Sequence, residues 1–406
     1  MKEKKYKLIE YILIFMTIYL SSSFYALSIS GTINITFSIF IAILCIIINF
    51  KKIKINKNAS LYFLFIISSS MITLILNSDG IYNYLIFWIY LICSYSIFLC
   101  IDIKKFIYIY TDIMYFLSIF SLITFLLLLL VPNLFNIFPY VKNNSGLVIR
   151  NVIFSVVYNS SYFNSNFGLF WEPGAYQTFL NLALFFQLFL IRNLNYKRVG
   201  ILLITIFTTF STTGYIATIY IIVIFFVRQY TVKKNNYYKN KKINFIFIII
   251  LILGAVAFYN MPDVIKFKVL GKLEGIFNTH LLETNSSYES TLARINSFKI
   301  PIINLMKSPI WGVGFTNLSN SSKVIGSGFL TSTPLNWFAL FGLVSGFIIN
   351  MPIVMWTSFI KRNYILRIFL ILFLIIIILS ENYNRNMFFL ILCFYGFDVK
   401  NAYYNY

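Results

Sequence analysis

Charged side chains occupy only 11% of this 406-residue chain, where a water-soluble domain has about a quarter. The shortage falls on the acids, with 12 Asp and Glu against 33 Lys and Arg, and there is one His. No HExxH, no DxD pair and no GxxxxGK[ST] loop occurs, which excludes the common metallohydrolase and P-loop nucleotide chemistries. Cysteine is confined to Cys45, Cys93, Cys100 and Cys393, each inside an apolar run and none in CxxC spacing. These four read as small buried hydrophobes, so neither a metal site nor any cofactor is expected. Ionisable residues within the apolar runs are few: Glu10 and Asp112 near run ends, Arg367 near a basic edge. Ion-coupled transporters keep charges near the membrane midplane, so this scarcity counts against transport. There is no internal repeat and no low-complexity tail.

Apolar residues make up 59% of the chain, and the mean hydropathy is +0.81. Runs near the ~20 residues that cross ~30 Å of hydrocarbon recur from end to end. The expected fold is therefore all-α: a single polytopic membrane bundle over residues 1–406, with about twelve spans. They are placed at 8–29, 32–50, 60–76, 81–101, 106–131, 175–191, 199–210, 214–228, 243–259, 335–359, 364–380 and 386–397. MKEKKYK and the run after it read as an uncleaved first helix, since no small-residue cleavage site follows.

The net charge of +21 does not point to nucleic acid, because the basic residues fall in short clusters between apolar runs. Those clusters follow the positive-inside rule. With both termini cytoplasmic, the inner segments hold Lys2 to Lys7, Lys51 to Lys57, Lys104 and Lys105, and Arg192 to Arg198. The run from Arg228 to Lys242, then Lys361, Arg362 and Lys400, complete the set. Ser28–Gly31, Asn77–Gly80 and Ser211–Thr213, taken as short outer loops, have no Lys or Arg. The Val199–Arg228 stretch, interrupted at STTGY, reads as two short helices meeting at a tight outer turn. A re-entrant pair has the same parity.

Two outer loops are long, at 132–174 and 260–334, and are expected to fold over the mouth of the bundle as functional surface. The first ends in GLFWEPGAYQTFLNLAL, where Glu172 precedes a Pro suited to a first helical turn. A carboxylate there serves a helix dipole or chemistry. Arg150 is the only arginine of this loop and, with Lys142, its only base. In the second loop Arg294, Ile295, Phe298 and Ile302 recur at helical spacing, suggesting an amphipathic helix on the membrane face. Pro309, Gly312 and Gly314 then make a turn. His280, in the same loop, is a solvated side chain or a proton acceptor. Tyr140, Tyr158, Tyr162, Phe170 and Trp171, then Trp311 and Trp337, are the rings to test for sugar stacking.

These segments together carry a resemblance. FWEPGAYQTFLNLAL resembles the G-x-F-x-E-P-x-x-x-A/Q segment of Wzy-type polysaccharide repeat-unit polymerases. Arg294 to Gly314, with its SPIWGVG, is similar to a segment these enzymes share with O-antigen ligases. TPLNWFALFGLVSG resembles the asparagine-bearing helix start that follows, and STTGY the Ser-Ser/Thr-x-Gly element between two middle helices. The resemblance implies a glycosyltransferase of the cytoplasmic (inner) membrane, acting at its outer face. Its substrate would be undecaprenyl-pyrophosphate-linked oligosaccharide, its surroundings the lipid bilayer, and its companions a chain-length regulator and a flippase. Undecaprenyl pyrophosphate leaves already activated, so no ATP, metal or other cofactor is called for. On this resemblance Arg294 and Arg150 meet the pyrophosphate, and Glu172 or His280 is the base. Trp171, Tyr176 and Asn336 join the substrate-binding set. Thr333, Pro334 and Leu335 stand where ligases often have a histidine, which favours polymerase. O-antigen ligase and lipid-linked oligosaccharide flippase are the alternatives.

Overall fold

The structure is a computed structural model, and it describes residues 8–28, 31–49, 53, 55–142, 148–158, 165–232, 288–324, 330–360 and 363–400. His280, Tyr162 and the expected span 243–259 lie outside them. Helices come in the order α1 (Leu8–Ser22), α2 (Phe24–Ser28), α3 (Gly31–Asn49), α4 (Lys57–Leu76), α5 (Ile81–Cys100) and α6 (Ile103–Leu130). A small sheet follows, then α7 (Pro173–Phe185), α8 (Tyr196–Thr208) and α9 (Thr212–Val232). After the next described stretch begins come α10 (Tyr288–Lys307), α11 (Gly314–Val324), α12 (Thr333–Met355), α13 (Tyr364–Leu379) and α14 (Met387–Gly396).

Six described helices are long and apolar enough to cross a membrane: α3, α4, α5, α6, α9 and α12. Their outer faces carry the apolar side chains that lipid would cover, among them Phe37, Phe40, Ile43 and Ile47 on α3. This is the signature of a membrane protein, and it stops short of the twelve spans expected. The regions 175–191, 199–210, 364–380 and 386–397 do form helices, but short ones. α14 has ten residues, about 15 Å of rise, half the ~30 Å hydrocarbon core. The all-α expectation also needs one amendment. The first long loop contains an antiparallel sheet of β1 (Tyr140–Lys142), β2 (Val148–Val152) and β3 (Ser155–Tyr158), in that order. The second contains α10 and α11, so neither is plain loop.

α7 is the axis of the packing. Every side chain from Ala175 to Phe185 is buried, as is the wider π turn Phe186–Leu190 that continues it, and a helix covered all round is a core helix. It packs against α6, α8, α9 and α13. Its polar residues are tied to those neighbours. The Thr178 hydroxyl lies 2.8 Å from that of Ser380, and Asn181 accepts from Thr218 at 2.9 Å. Such bonds hold helices together where water is absent.

α12 is a broken helix. Gly342 has φ +83, and a Cβ there would lie 2.0 Å from the carbonyl oxygen of Ile310. The GxG turn Gly312–Gly314 lies against the break: Val313 N donates to Ala339 O at 2.9 Å, and Leu343 N to Pro309 O at 2.7 Å. Broken backbone inside a bundle needs such partners, because lipid offers none. Asp79 accepts from the Thr316 and Gly80 amides and from the Tyr84 hydroxyl, which anchors the start of α11. The Gly pair expected to form a turn therefore does so: Gly312 admits the backbone of α12, and Gly314 the side chains of Asp79 and Tyr84.

Candidate functional site

Pro173 opens α7 and makes Glu172 the residue before it, with extended backbone and no side-chain cap bond. Its carboxylate is exposed and is not spent on the helix end. One residue on, a Cβ on Gly174 would sit 2.5 Å from Glu381 Oε1 and 3.9 Å from Glu172 Oε1. Only glycine leaves room for the two carboxyl groups to approach.

Glu381 belongs to the turn Ser380–Asn386 between α13 and α14, and it is 6% exposed. Thr333 holds the turn: its hydroxyl donates to Glu381 O at 2.8 Å and accepts from Tyr383 N at 2.7 Å. Burial raises the Glu381 carboxyl well above the ordinary carboxylate range, and the neighbouring Glu172 charge and hydrogen bond add to it. Arg294 and the Trp171 side chain act in the opposite direction without overcoming it. Glu381 therefore holds its proton to higher pH than an ordinary glutamate does.

Arg294 comes from the second turn of α10, and its Nη1 donates to Thr213 Oγ1 at 2.8 Å. That threonine is in the STTG element, whose Gly214 packs against Gln177 of α7; a Cβ there would lie 2.9 Å from Gln177 Cβ. α10 turns Asn296, Ser297 and Asn304 inward and leaves Phe298 and Ile302 exposed. The expected amphipathic helix is present, with its apolar stripe outward. Ser297 Oγ accepts from Thr331 N at 2.8 Å, tying α10 to the start of α12.

Four separate stretches thus converge at one end of the bundle. Around them lie buried polar atoms without a partner among the described residues: Ser332 Oγ, Asn336 Oδ1 and Asn384 Oδ1. Ser332 also has a left-handed backbone, φ 59. Orphaned buried groups and backbone strain are uncommon, and they gather at functional sites.

The remaining sequence-derived candidates are placed as follows. Trp171 is half-buried beside Tyr383, ring centroids 6.3 Å apart, and within reach of Glu381. Tyr176 is fully buried, its hydroxyl 2.8 Å from Ser121 Oγ, and supports the core. Asn336 is also buried, donating to Thr331 O at 3.2 Å. Arg150 sits on β2, gives Nη1 to the Asn136 and Phe138 carbonyls and covers the Tyr140 ring. Those bonds hold the sheet to the preceding turn, and no described contact joins Arg150 to Glu172 or Arg294. Phe170 and Trp337 are buried, which removes them as stacking platforms, while Tyr140 and Trp311 are exposed. Glu10 pairs with Lys105 and Asp112 with Arg198.

Sequence reasoning missed Glu381, Tyr383 and Arg385. The signal was there, since Arg385 is a basic residue in a short turn assigned to the outer side. It is an exception among the short outer turns, the others of which have no Lys or Arg. No family model, no curated protein and no solved structure matches this chain.

Proposed function

We propose that the chain is a Wzy-type polymerase, joining lipid-diphosphate-linked oligosaccharide repeat units at the outer face of the cytoplasmic membrane. The observation that supports this is the meeting of Glu172, Glu381, Arg294 and Thr213 beside apolar helices. Such a transfer needs a base for an alcohol and a cation for a departing diphosphate. Both kinds of group are present together, and the resemblance of the same segments names the substrate class.

In this reading the acceptor sugar hydroxyl attacks the anomeric carbon of the donor glycan. The anomeric C–O bond breaks, and the electron pair leaves with undecaprenyl pyrophosphate. Glu172, exposed and uncommitted, takes the hydroxyl proton. Glu381 carries its own proton and donates a hydrogen bond to Glu172, which keeps that carboxylate turned toward the acceptor. Arg294, steadied by Thr213, balances the charge growing on the diphosphate.

The test is glycan length on a gel, from a deletion strain complemented with wild type or Arg294→Ala. A ladder with wild type, and a single repeat unit with a variant present at equal membrane level, is the expected result. Polymer that forms on its lipid carrier without this gene but fails to reach its final acceptor would make the protein a ligase. Repeat units trapped on the cytoplasmic side would make it a flippase.

A further inference from the structure

Arg385 lies on the same turn as Glu381 but faces the other way, and its placement is unusual. α14 runs beside the second half of α5: Ser94 Oγ donates to Met387 O at 2.9 Å, and the Tyr395 hydroxyl to Ile101 O at 2.7 Å. Ser94 is about 20 Å along α5 from its first residue. The turn that leads into α14 is therefore set down inside the bundle, yet Asn382 and Arg385 on it are exposed. From this turn Arg385 reaches back along α5 to Asn83, donating to Oδ1 at 2.7 Å. Beneath the guanidinium is the Phe315 ring, 5.4 Å from its centroid, at the end of the WGVGF segment.

No carboxylate among the described residues pairs with this guanidinium. The contrast is with Lys105 on Glu10, Arg198 on Asp112 and Arg294 near Glu381. A fixed positive charge beside apolar helices is costly to keep without a counter-charge. An aromatic floor and one amide orient the planar group without neutralising it, and the Asn83 bond uses one of its five N–H donors. That is the arrangement a planar cation needs to take two oxygens of an anion at once.

We propose that Arg385, held by Asn83 and Phe315, is a second anion seat that binds the diphosphate headgroup of a polyprenyl-linked glycan. The proposal rests on the functional reading above and adds to it. Arg294 reaches the carboxyl pair from α10, whereas Arg385 extends from the turn itself to Asn83 of α5 and the Phe315 ring. Arg150, engaged with two carbonyls, is not needed for the second contact.

The test is binding by the full chain in phosphatidylcholine nanodiscs, with undecaprenyl diphosphate and inorganic pyrophosphate as probes. Thermal unfolding is followed on the same samples. Arg385→Gln is expected to weaken undecaprenyl diphosphate at least tenfold with an unchanged melting temperature. Arg385→Lys should lose less, and Asn83→Ala, which frees the guanidinium, severalfold. Equal losses with inorganic pyrophosphate would show that the seat reads the diphosphate itself; losses with the lipid alone would show that the chain is read as well. Wild-type affinity in Arg385→Gln would overturn the proposal, and so would a loss that appears only together with a lower melting temperature. Failure of the wild type to bind undecaprenyl diphosphate would instead bring down the polymerase reading.

Discussion

Two carboxyl groups brought together across Gly174 cannot both ionise in a buried setting, because each charge raises the cost of the other. Glu381 is buried, so losing its proton is the costlier for it. The sign for stability follows from that. An unfolded Glu titrates near ~4.3, while folded Glu381 titrates well above it. Below the unfolded value both states are protonated and no penalty arises. As pH rises, the unfolded chain releases a proton that the folded one retains, and stability falls until the folded value is passed. Glu381→Gln removes this term. Its melting temperature in detergent should fall less than that of wild type between pH 5 and 8, in circular dichroism or fluorescence scans. Parallel curves for the two proteins would refute the assignment.

The WGVG turn and the break in α12 form one unit, since each glycine makes room for the backbone of the other. Gly312 has φ +73 and a Cβ position 2.2 Å from Leu340 O. Gly342 has φ +83 and the counterpart clash with Ile310 O. Both strain and overlap oppose any side chain. Gly342→Ala is expected to destabilise by roughly 2–4 kcal/mol, the range of substitutions that force strain on packed backbone. The check is the melting temperature of purified protein alongside its level in the membrane. A variant as stable as wild type would show that the break is soft. Because the unit positions Phe315 and the start of α12, losing it should also disturb Arg385 and Thr333.

At the level of the whole molecule, the basic clusters and the convergent turn are set at opposite ends of the helices. Glu10 meets Lys105 where α1 and α6 begin, whereas Glu172, Arg294 and Glu381 meet where α7 and α12 begin. On the charge rule the first end is the one expected to be cytoplasmic. The four native cysteines are buried, so cysteines introduced at exposed positions can be labelled against a low background. Asn382→Cys in whole cells should react with a membrane-impermeant maleimide, and Lys57→Cys only after the cells are opened. The reverse pattern would invert the topology and place the site on the wrong side for lipid-linked polymerisation.

Composition alone determined that the chain is a helical membrane protein, because burying so many apolar residues and so few charges leaves no soluble alternative. Local rules also located the ends of α7, the STTG turn and the stripe on α10, since a helix period and a Pro or Gly act through neighbours in the chain. The partners of those pieces were decided elsewhere. Glu381 follows an apolar run and looks like a loop acid until folding brings it to Gly174, and α14 looks like a span until its ten residues are seen to begin deep inside the bundle. Arg150 is the one arginine of its loop and Tyr176 sits in a motif-bearing stretch, yet tertiary contacts give the first to a sheet and the second to the core. Contacts between residues far apart in the chain depend on how helices pack, and the apolar faces that drive packing are too alike to name their partners in advance.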